Sequence, residues 1–141
     1  MGAGQDLWRR TEELMNNHDY EAAVDLMYAK DAVLVMSSTR IEGGQAIRAF
    51  MDEFAKAFPD GKLTTSGVVE DDQSLAVEYT FEGTHTGPLV VPDGSELPAT
   101  GNSVTIPLVS VFDMRNGKAT EERMYFDNAL LMEQLGLDAT G

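Results

Sequence analysis

Apolar residues recur at helical spacing in three segments within the first 60 positions of the chain. The first segment runs from Gln5 to Asn17, and the second runs from Tyr20 to Tyr28, with Asp19 in place to cap it. The third begins after Gly43-Gly44 and has the most regular pattern, with apolar residues at Ile47, Phe50, Met51, Phe54 and Phe58. Proline and glycine end this pattern directly afterwards, so we predict three helices in this part of the chain.

After the third helix the pattern changes to the two-residue period of β-strands. It is clearest at positions 75–81, where apolar and more polar residues alternate. Pro107 inside one predicted strand implies a bulge or a sheet edge, because proline cannot donate a ladder hydrogen bond. The predicted elements are strands at 32–36 with a short return at 41, 62–69, 75–81, 104–114 and 118–127, a long loop or bent strand at 83–101, and a last helix at 128–135.

The order of these elements predicts a single domain, residues 1–141, of the α+β class. Three helices and a small strand pair come first, and four long strands and a short helix follow. Helices that pack on one face of a curved antiparallel or mixed sheet leave a cone with an apolar interior. Cavities of that kind bind small molecules, so the pattern indicates a small hydrophobic ligand.

The composition narrows the range of partners. Hydrophobic residues make up 43% of the 141 residues, which is enough for a packed interior. The formal net charge is -14, from 24 acidic and 10 basic residues, so neither nucleic acid nor an anionic membrane is expected as a partner. There is no cysteine and the two histidines lie far apart, so neither disulfides nor a metal site is expected. No apolar run reaches the roughly 20 residues of a membrane span, and no signal segment is visible, so the expected location is cytoplasmic.

Two residues are candidates for acid/base chemistry. Asp127 lies where the last strand becomes the last helix, and by alternation its strand face also carries Glu121, Arg123 and Tyr125. In an apolar pocket such a carboxylate is a general base, whereas at a helix start it is a structural cap, and the spacing leaves both interpretations open. His85 falls on the apolar face of its strand, where a histidine either shuttles protons near neutral pH or is held by a neighbouring hydroxyl or carbonyl.

Several short motifs follow one another along the second half of the chain. They are FEGTHTG at 81–87, LPATG at 97–101, Gly117-Lys118, Glu121 with Tyr125-Phe126-Asp127, and QLG at 134–136. In this order they resemble the SnoaL-like polyketide cyclase family of the nuclear-transport-factor-2-like superfamily, and the resemblance covers nearly the whole chain. Two positions depart from the family pattern, with Asn102 in place of a frequent Arg and Ala119 in place of a usual Ile.

The resemblance implies an α+β cone with three N-terminal helices and a short C-terminal helix, commonly paired through its sheet as a homodimer. Characterised family members close a ring by intramolecular aldol condensation and use neither a metal nor a cofactor. By this resemblance Asp127 is the general acid/base, and His85 is the second catalytic candidate. The residues that we predict to bind substrate in the interior are Tyr125, Tyr79, Phe81, Phe54 and Trp8.

The leading functional hypothesis is acid/base catalysis without a cofactor, either an aldol-type cyclisation or an isomerisation, on a hydrophobic carbonyl compound. A non-catalytic binding protein of the same fold is the first alternative. The second is a hydrolase, because Tyr125-Phe126-Asp127 before a C-terminal helix also resembles the limonene-epoxide-hydrolase family. That reaction relies on an Arg-x-Asp pair on another strand, and the strand at 75–81 contains no such pair.

Overall fold

Four helices are present in the computed structural model, which describes residues 2–37, 39–90 and 94–137. They are α1 (Ala3–Asn16), α2 (Tyr20–Met27), α3 (Gly44–Ala57) and α4 (Asn128–Gln134). The three N-terminal helices confirm the helical periodicity, and Asp19 caps α2 as predicted by accepting a hydrogen bond from the Ala22 N–H at 3.2 Å. None of the described helices is long and apolar enough to cross a lipid bilayer.

The strands form one six-stranded mixed sheet and one short separate hairpin. Their bounds are β1 (Tyr28–Met36), β2 (Thr39–Glu42), β3 (Lys62–Glu70), β4 (Ser74–Thr84), β5 (Leu89–Val90), β6 (Glu96–Leu97), β7 (Ser103–Arg115) and β8 (Lys118–Phe126). The order across the large sheet is β2-β1-β8-β7-β4-β3, with β1 parallel to β8 and every other pair antiparallel. The segment predicted as a loop or bent strand holds the β5–β6 hairpin, and its residues 91–93 lie outside the described residues. The predicted α+β class is confirmed.

The central hairpin joins β7 to β8 through Asn116 and Gly117. Their φ angles of 53° and 76° are those of a tight two-residue turn, which asparagine and glycine adopt most easily. Within β7, Pro107 lies just beyond Leu108, the last residue that pairs with β8, while the pairing with β4 continues through it without a shift. The sheet-edge interpretation of Pro107 is therefore confirmed, because no β8 residue faces its missing N–H.

All four described helices contribute buried side chains to one face of the sheet, termed here the inner face. Trp8 of α1 packs against Tyr79 of β4 and Phe112 of β7, with ring centroids 5.4 and 5.7 Å apart. The opposite, outer face carries Tyr125 and Val69, the two large apolar side chains that are most exposed in the described part of the chain. The space that can hold a ligand therefore lies between the helices and the inner face.

Candidate functional site

A cavity of about 160 Å³ lies between the helices and the inner face of the sheet. An apolar space of roughly 150 Å³ holds a benzene-sized ring in an engineered protein, so the size suits a small organic molecule. Four of the five residues predicted to bind substrate line its wall, namely Trp8, Phe54, Tyr79 and Phe81. The wall is almost entirely apolar, and the ionisable or amide side chains within it are Asn16, Tyr20, Tyr28, Lys62, Tyr79 and Glu122.

Glu122 is the one carboxylate in the described wall of the cavity, and it is 2% exposed. Its Oε1 accepts a hydrogen bond from the Tyr28 hydroxyl, and its Oε2 accepts one from the Ser110 hydroxyl at 2.7 Å. The Tyr79 hydroxyl lies 2.7 Å from the Ser110 Oγ, which extends the chain by one more group. These four residues, termed the carboxylate network, satisfy the polar atoms of a carboxylate that would otherwise be costly to bury.

A bulge in β8 directs Glu122 toward the inner face. The pairing of β8 with β7 passes from Glu121 to Ala119 and leaves Thr120 as the extra residue. As a result Ala119 and Glu122 are both buried although they are three positions apart, where an unbroken strand alternates every two. Beyond Glu122 the two-residue period resumes, and every second residue up to the end of β8 lines the cavity.

Burial sets the protonation behaviour of the network. It raises the pKa of the Glu122 carboxyl above its ordinary value, and the hydrogen bonds from Tyr28 and Ser110 offset only part of this effect. Burial, together with the negative charge of Glu122, also raises the pKa of both Tyr28 and Tyr79. Both phenols therefore stay protonated at neutral pH, beside a carboxyl whose pKa is shifted toward neutrality. This is the combination that general acid/base sites use.

Asp127 and Tyr125 lie outside the cavity wall. Asp127 is exposed, and its carboxylate accepts a hydrogen bond from the Leu130 N–H at 3.1 Å, so it caps α4. Tyr125 is 58% exposed on the outer face. Tyr125 was predicted to bind substrate in the interior, and this placement is corrected, because the helices cover the other face of β8. For Asp127 the sequence had left a pocket base and a helix cap open. The catalytic role of Asp127 stays a prediction of the resemblance.

Replacing Asp127 by alanine should lower the free energy of unfolding by about 0.5–2 kcal/mol, because the Leu130 N–H loses its capping acceptor. Asp127→Asn is the matched control, since asparagine caps nearly as well, and it should keep most of the stability. Urea denaturation of the two variants measures the difference. Equal destabilisation by both substitutions would contradict a capping role and indicate that the charge itself is needed.

His85 is fully buried, and it lies outside the cavity wall. Its ring stacks on Phe58 with centroids 5.3 Å apart, and its Nδ1 accepts a hydrogen bond from the Thr100 N–H at 3.2 Å. The Thr100 hydroxyl lies 3.0 Å from the same nitrogen, while Nε2 has no partner among the described residues. Acceptance at Nδ1 assigns the ring proton to Nε2. The structure therefore does not bring His85 together with Glu122, and a neighbouring backbone and hydroxyl hold it.

The burial of His85 predicts a stability loss in acid. Burial lowers the pKa of the ring, so below about pH 6.5 the unfolded chain binds a proton that the folded chain does not. Stability is thus complete above that pH and falls as the pH decreases, by at most about 1.4 kcal/mol per pH unit. His85→Gln should remove this component, whereas His18→Asn, at an exposed histidine, should keep it. Denaturant unfolding between pH 4.5 and 8 tests this, and identical pH slopes in both variants would contradict it.

Two other types of site find no support in the described residues. Arg123, on the outer face, pairs with both carboxylate oxygens of Asp113 at 3.1 Å and with Glu121 at 2.6 Å. A second carboxylate bridged to Asp127 through this arginine would favour the hydrolase alternative, and the contacts of Arg123 do not include Asp127. Within residues 2–37, 39–90 and 94–137 no group of three or more acidic or histidine side chains is placed to hold a metal ion.

The curved sheet and the helices that cover its inner face enclose an apolar cavity. This arrangement is typical of cone-shaped α+β folds that bind small molecules. The chain belongs to the SnoaL-like polyketide cyclase family, whose family model matches residues 5–135. No curated protein matches it.

Three solved structures illustrate the shared fold. TsrD from Streptomyces laurentii has a TM-score of 0.83 at 22% identity over 96% of each chain. A SnoaL-like polyketide cyclase from Agrobacterium tumefaciens has a TM-score of 0.76 at 18% identity, over 96% of this chain and 100% of that one. TerC, co-crystallised with polyporic acid, has a TM-score of 0.75 at 17% identity, over 96% of this chain and 99% of that one. Likenesses at these identities show the fold, and they confirm the predicted one.

Proposed function

We propose that this protein binds a small, largely apolar carbonyl compound in its cavity and that Glu122 acts there as a general base. The observation that carries the proposal is the position of Glu122, which is buried in an apolar wall with both carboxylate oxygens hydrogen-bonded. A carboxylate in such surroundings is a stronger base than one in water, because burial disfavours its charge.

The reaction that fits this arrangement begins with removal of a proton from the carbon next to a carbonyl. Glu122 takes the proton, and the negative charge passes to the carbonyl oxygen as an enolate. The protonated phenols of Tyr28 and Tyr79 also line the cavity, and they are the proposed donors to that oxygen. One well-placed donor of this kind contributes about 3 kcal/mol to a transition state. An isomerisation or an intramolecular aldol closure both begin with this step.

Family membership supports ring closure as the overall reaction, and the co-crystallisation of TerC with polyporic acid supports a small organic compound as the ligand. The charges support a neutral ligand. The chain carries a net charge of -14, and Lys62, an exposed residue, is the one cation in the described wall. An anionic compound would therefore meet Glu122 with little to balance it. The acid/base role that the family pattern implies for Asp127, and a catalytic role of His85, stay predictions to be tested beside Glu122.

Hydrogen–deuterium exchange tests the proposal without knowledge of the natural substrate. Small ketones such as 1-indanone and 2-tetralone are incubated with the protein in D₂O, and loss of the α-proton signal is followed by NMR. We expect exchange above the buffer rate for at least one ketone that also shifts the thermal unfolding midpoint. Ketones that bind without faster exchange would favour the non-catalytic alternative, and the absence of both effects would overturn the proposal.

We also propose that the outer face of the sheet pairs with a second copy of the chain. Tyr125 and Val69 are exposed there, and the positive charge of Arg123 on this face is already neutralised by Asp113 and Glu121. Light scattering after size exclusion should give the mass of a dimer for the wild type and of a monomer for Tyr125→Glu. Lys56→Glu is the control that should stay dimeric, because the Lys56 side chain is exposed on α3, away from the outer face of the sheet. A monomeric wild type would contradict the proposal.

A further inference from the structure

The hydrogen atoms of the carboxylate network can be assigned by counting. The Ser110 hydroxyl has one hydrogen, and while Glu122 is ionised that hydrogen is donated to Oε2 at 2.7 Å. The 2.7 Å contact between Tyr79 and Ser110 then requires the Tyr79 hydroxyl to be the donor. Tyr28 likewise donates to Oε1. With an ionised Glu122, each tyrosine hydrogen is therefore directed into the network, and Tyr79 can offer only its lone pairs to a ligand.

Protonation of Glu122 on Oε2 reverses the direction of the hydrogen bonds from Glu122 through Ser110 to Tyr79. The neutral carboxyl donates to the Ser110 oxygen, the Ser110 hydrogen turns to the Tyr79 oxygen, and the Tyr79 hydrogen becomes free to point into the cavity. We propose that Ser110 couples Glu122 to Tyr79, so that Tyr79 donates a hydrogen bond to a ligand oxygen only once Glu122 has taken up a proton. Ser110 is a positioning residue in this scheme, because it lies behind the cavity wall and acts through its two neighbours.

The inference rests on the proposed function in one respect, namely that Glu122 is the group that removes the ligand's α-proton. When that carbon–hydrogen bond breaks, its electron pair remains on the ligand and the proton joins Glu122. After a new carbon–carbon bond has formed, the resulting alkoxide takes the Tyr79 proton, Tyr79 takes the one from Ser110, and Ser110 takes the one from Glu122. Each hydroxyl again carries one hydrogen, Glu122 is again a carboxylate, and the chain has its starting direction. No proton is gained or lost overall.

The geometry leaves few other groups that can interfere with this coupling. The network is drawn from four different strands, β1, β4, β7 and β8. The other ionisable groups in the described wall are Tyr20 and Lys62. On the helix side, Trp8 of α1 packs on Tyr79, and its indole N–H is occupied by Thr65 at 2.8 Å. Thr65 in turn donates to the carboxylate of Glu12 on α1.

The empty protein provides the first test, because it needs no ligand. Tyrosine is labelled with ¹³C at Cζ and glutamate at Cδ, and the Tyr79 and Tyr28 signals are followed through the titration of Glu122. In the wild type both tyrosine signals should move with the Glu122 midpoint. In Ser110→Ala, the Tyr79 movement should be lost while the Tyr28 movement remains. An unchanged Tyr79 response in Ser110→Ala, or no response in the wild type, would overturn the inference.

Ligand binding provides the second test, with 1-indanone as the probe and one pH on each side of the Glu122 midpoint. Tyr79→Phe should weaken ketone binding roughly threefold to tenfold at the lower pH, where the Tyr79 hydroxyl is free to donate to the ketone. At the higher pH the substitution should hardly change binding, because there the hydroxyl donates to Ser110. In the Ser110→Ala background the cost of Tyr79→Phe should be the same at both pH values. A cost that depends equally on pH in both backgrounds would overturn the coupling. If no ketone binds, the proposed function fails while the first test still decides the coupling.

Discussion

Glu122→Gln should lower the rate of α-hydrogen exchange by roughly 10²–10⁴-fold, the usual contribution of a general base. Glutamine fills the same volume and can still accept a hydrogen bond from Tyr28 or Ser110, but its amide cannot take a proton from carbon. Glu121→Gln is the matched control, because this neighbouring carboxylate lies on the outer face beside Arg123, and its exchange rate should equal that of the wild type. A similar loss in both variants would indicate a general effect of charge rather than a base in the cavity.

The same substitution should not destabilise the protein at neutral pH. Because burial raises the pKa of Glu122, the folded state holds its proton at pH values where the unfolded state has already released it. The contribution of this group to stability is therefore complete below about pH 4.5 and is lost as the pH rises through the folded pKa. Glutamine has no such dependence, so the stability of Glu122→Gln relative to the wild type should improve with increasing pH. This dependence separates a catalytic defect from a folding defect.

Phe112→Ala should lower the free energy of unfolding by about 3–5 kcal/mol, the largest stability change that we expect from one substitution. The Phe112 ring is fully buried in the second half of β7, and its centroid lies 5.7 Å from that of Trp8 and 6.3 Å from that of Tyr28. Its removal leaves a cavity beneath two residues of the ligand wall. Since a domain of this size has about 5–15 kcal/mol of stability, the variant should be close to unfolding at 37 °C.

Phe112→Leu is the control for this substitution, because leucine refills most of the volume and should cost much less than alanine. Urea denaturation gives both values. Phe112 also pairs directly with Glu122 across the β7–β8 ladder, so its replacement can change the exchange activity as well as the stability. In Phe112→Leu the fold survives, so exchange activity can be compared with that of the wild type. A loss of less than 1 kcal/mol in Phe112→Ala would contradict the packing described for this core.

The helices and long strands were predictable because their patterns are strong and local. Helix α3 repeats its apolar residues with helical spacing and ends at a proline, and β4 alternates over its whole length. The Asn116-Gly117 turn joins β7 to β8 without ambiguity. At Pro107 the sequence allowed either a bulge or an edge, and only the length of the neighbouring β8 decided for the edge.

The candidate site was harder to predict, because it depends on which face of β8 the helices cover. Alternation correctly grouped Glu121, Arg123 and Tyr125 on one face, but it contains no information on which face is inside. The bulge at Thr120 adds to the difficulty, since counting by twos from the buried Ala119 places Glu121 inside rather than Glu122. Counting back from the end of the strand would have found Glu122, had the face of Met124 and Phe126 been taken as the inner one.

His85 shows a further limit of pattern reasoning. The two-residue count predicted a buried position, and His85 is fully buried one residue beyond the end of β4. It stacks on Phe58, a member of the second apolar cluster, instead of lining the cavity. Periodicity fixes the side of a sheet on which a residue lies, and the distance along the strand decides which part of the core it meets.

The most direct test of the account compares Glu122→Gln with Asp127→Asn in the same exchange experiment, with one ketone that binds the wild type. Glu122 lies in the cavity wall, and Asp127 caps α4 on the surface. We expect Glu122→Gln to lose at least about 10²-fold in rate, while Asp127→Asn should stay within about twofold of the wild type, since asparagine still caps the helix. The reverse result, a large loss in Asp127→Asn with full activity in Glu122→Gln, would contradict the account and assign the chemistry to the carboxylate that the family pattern implies.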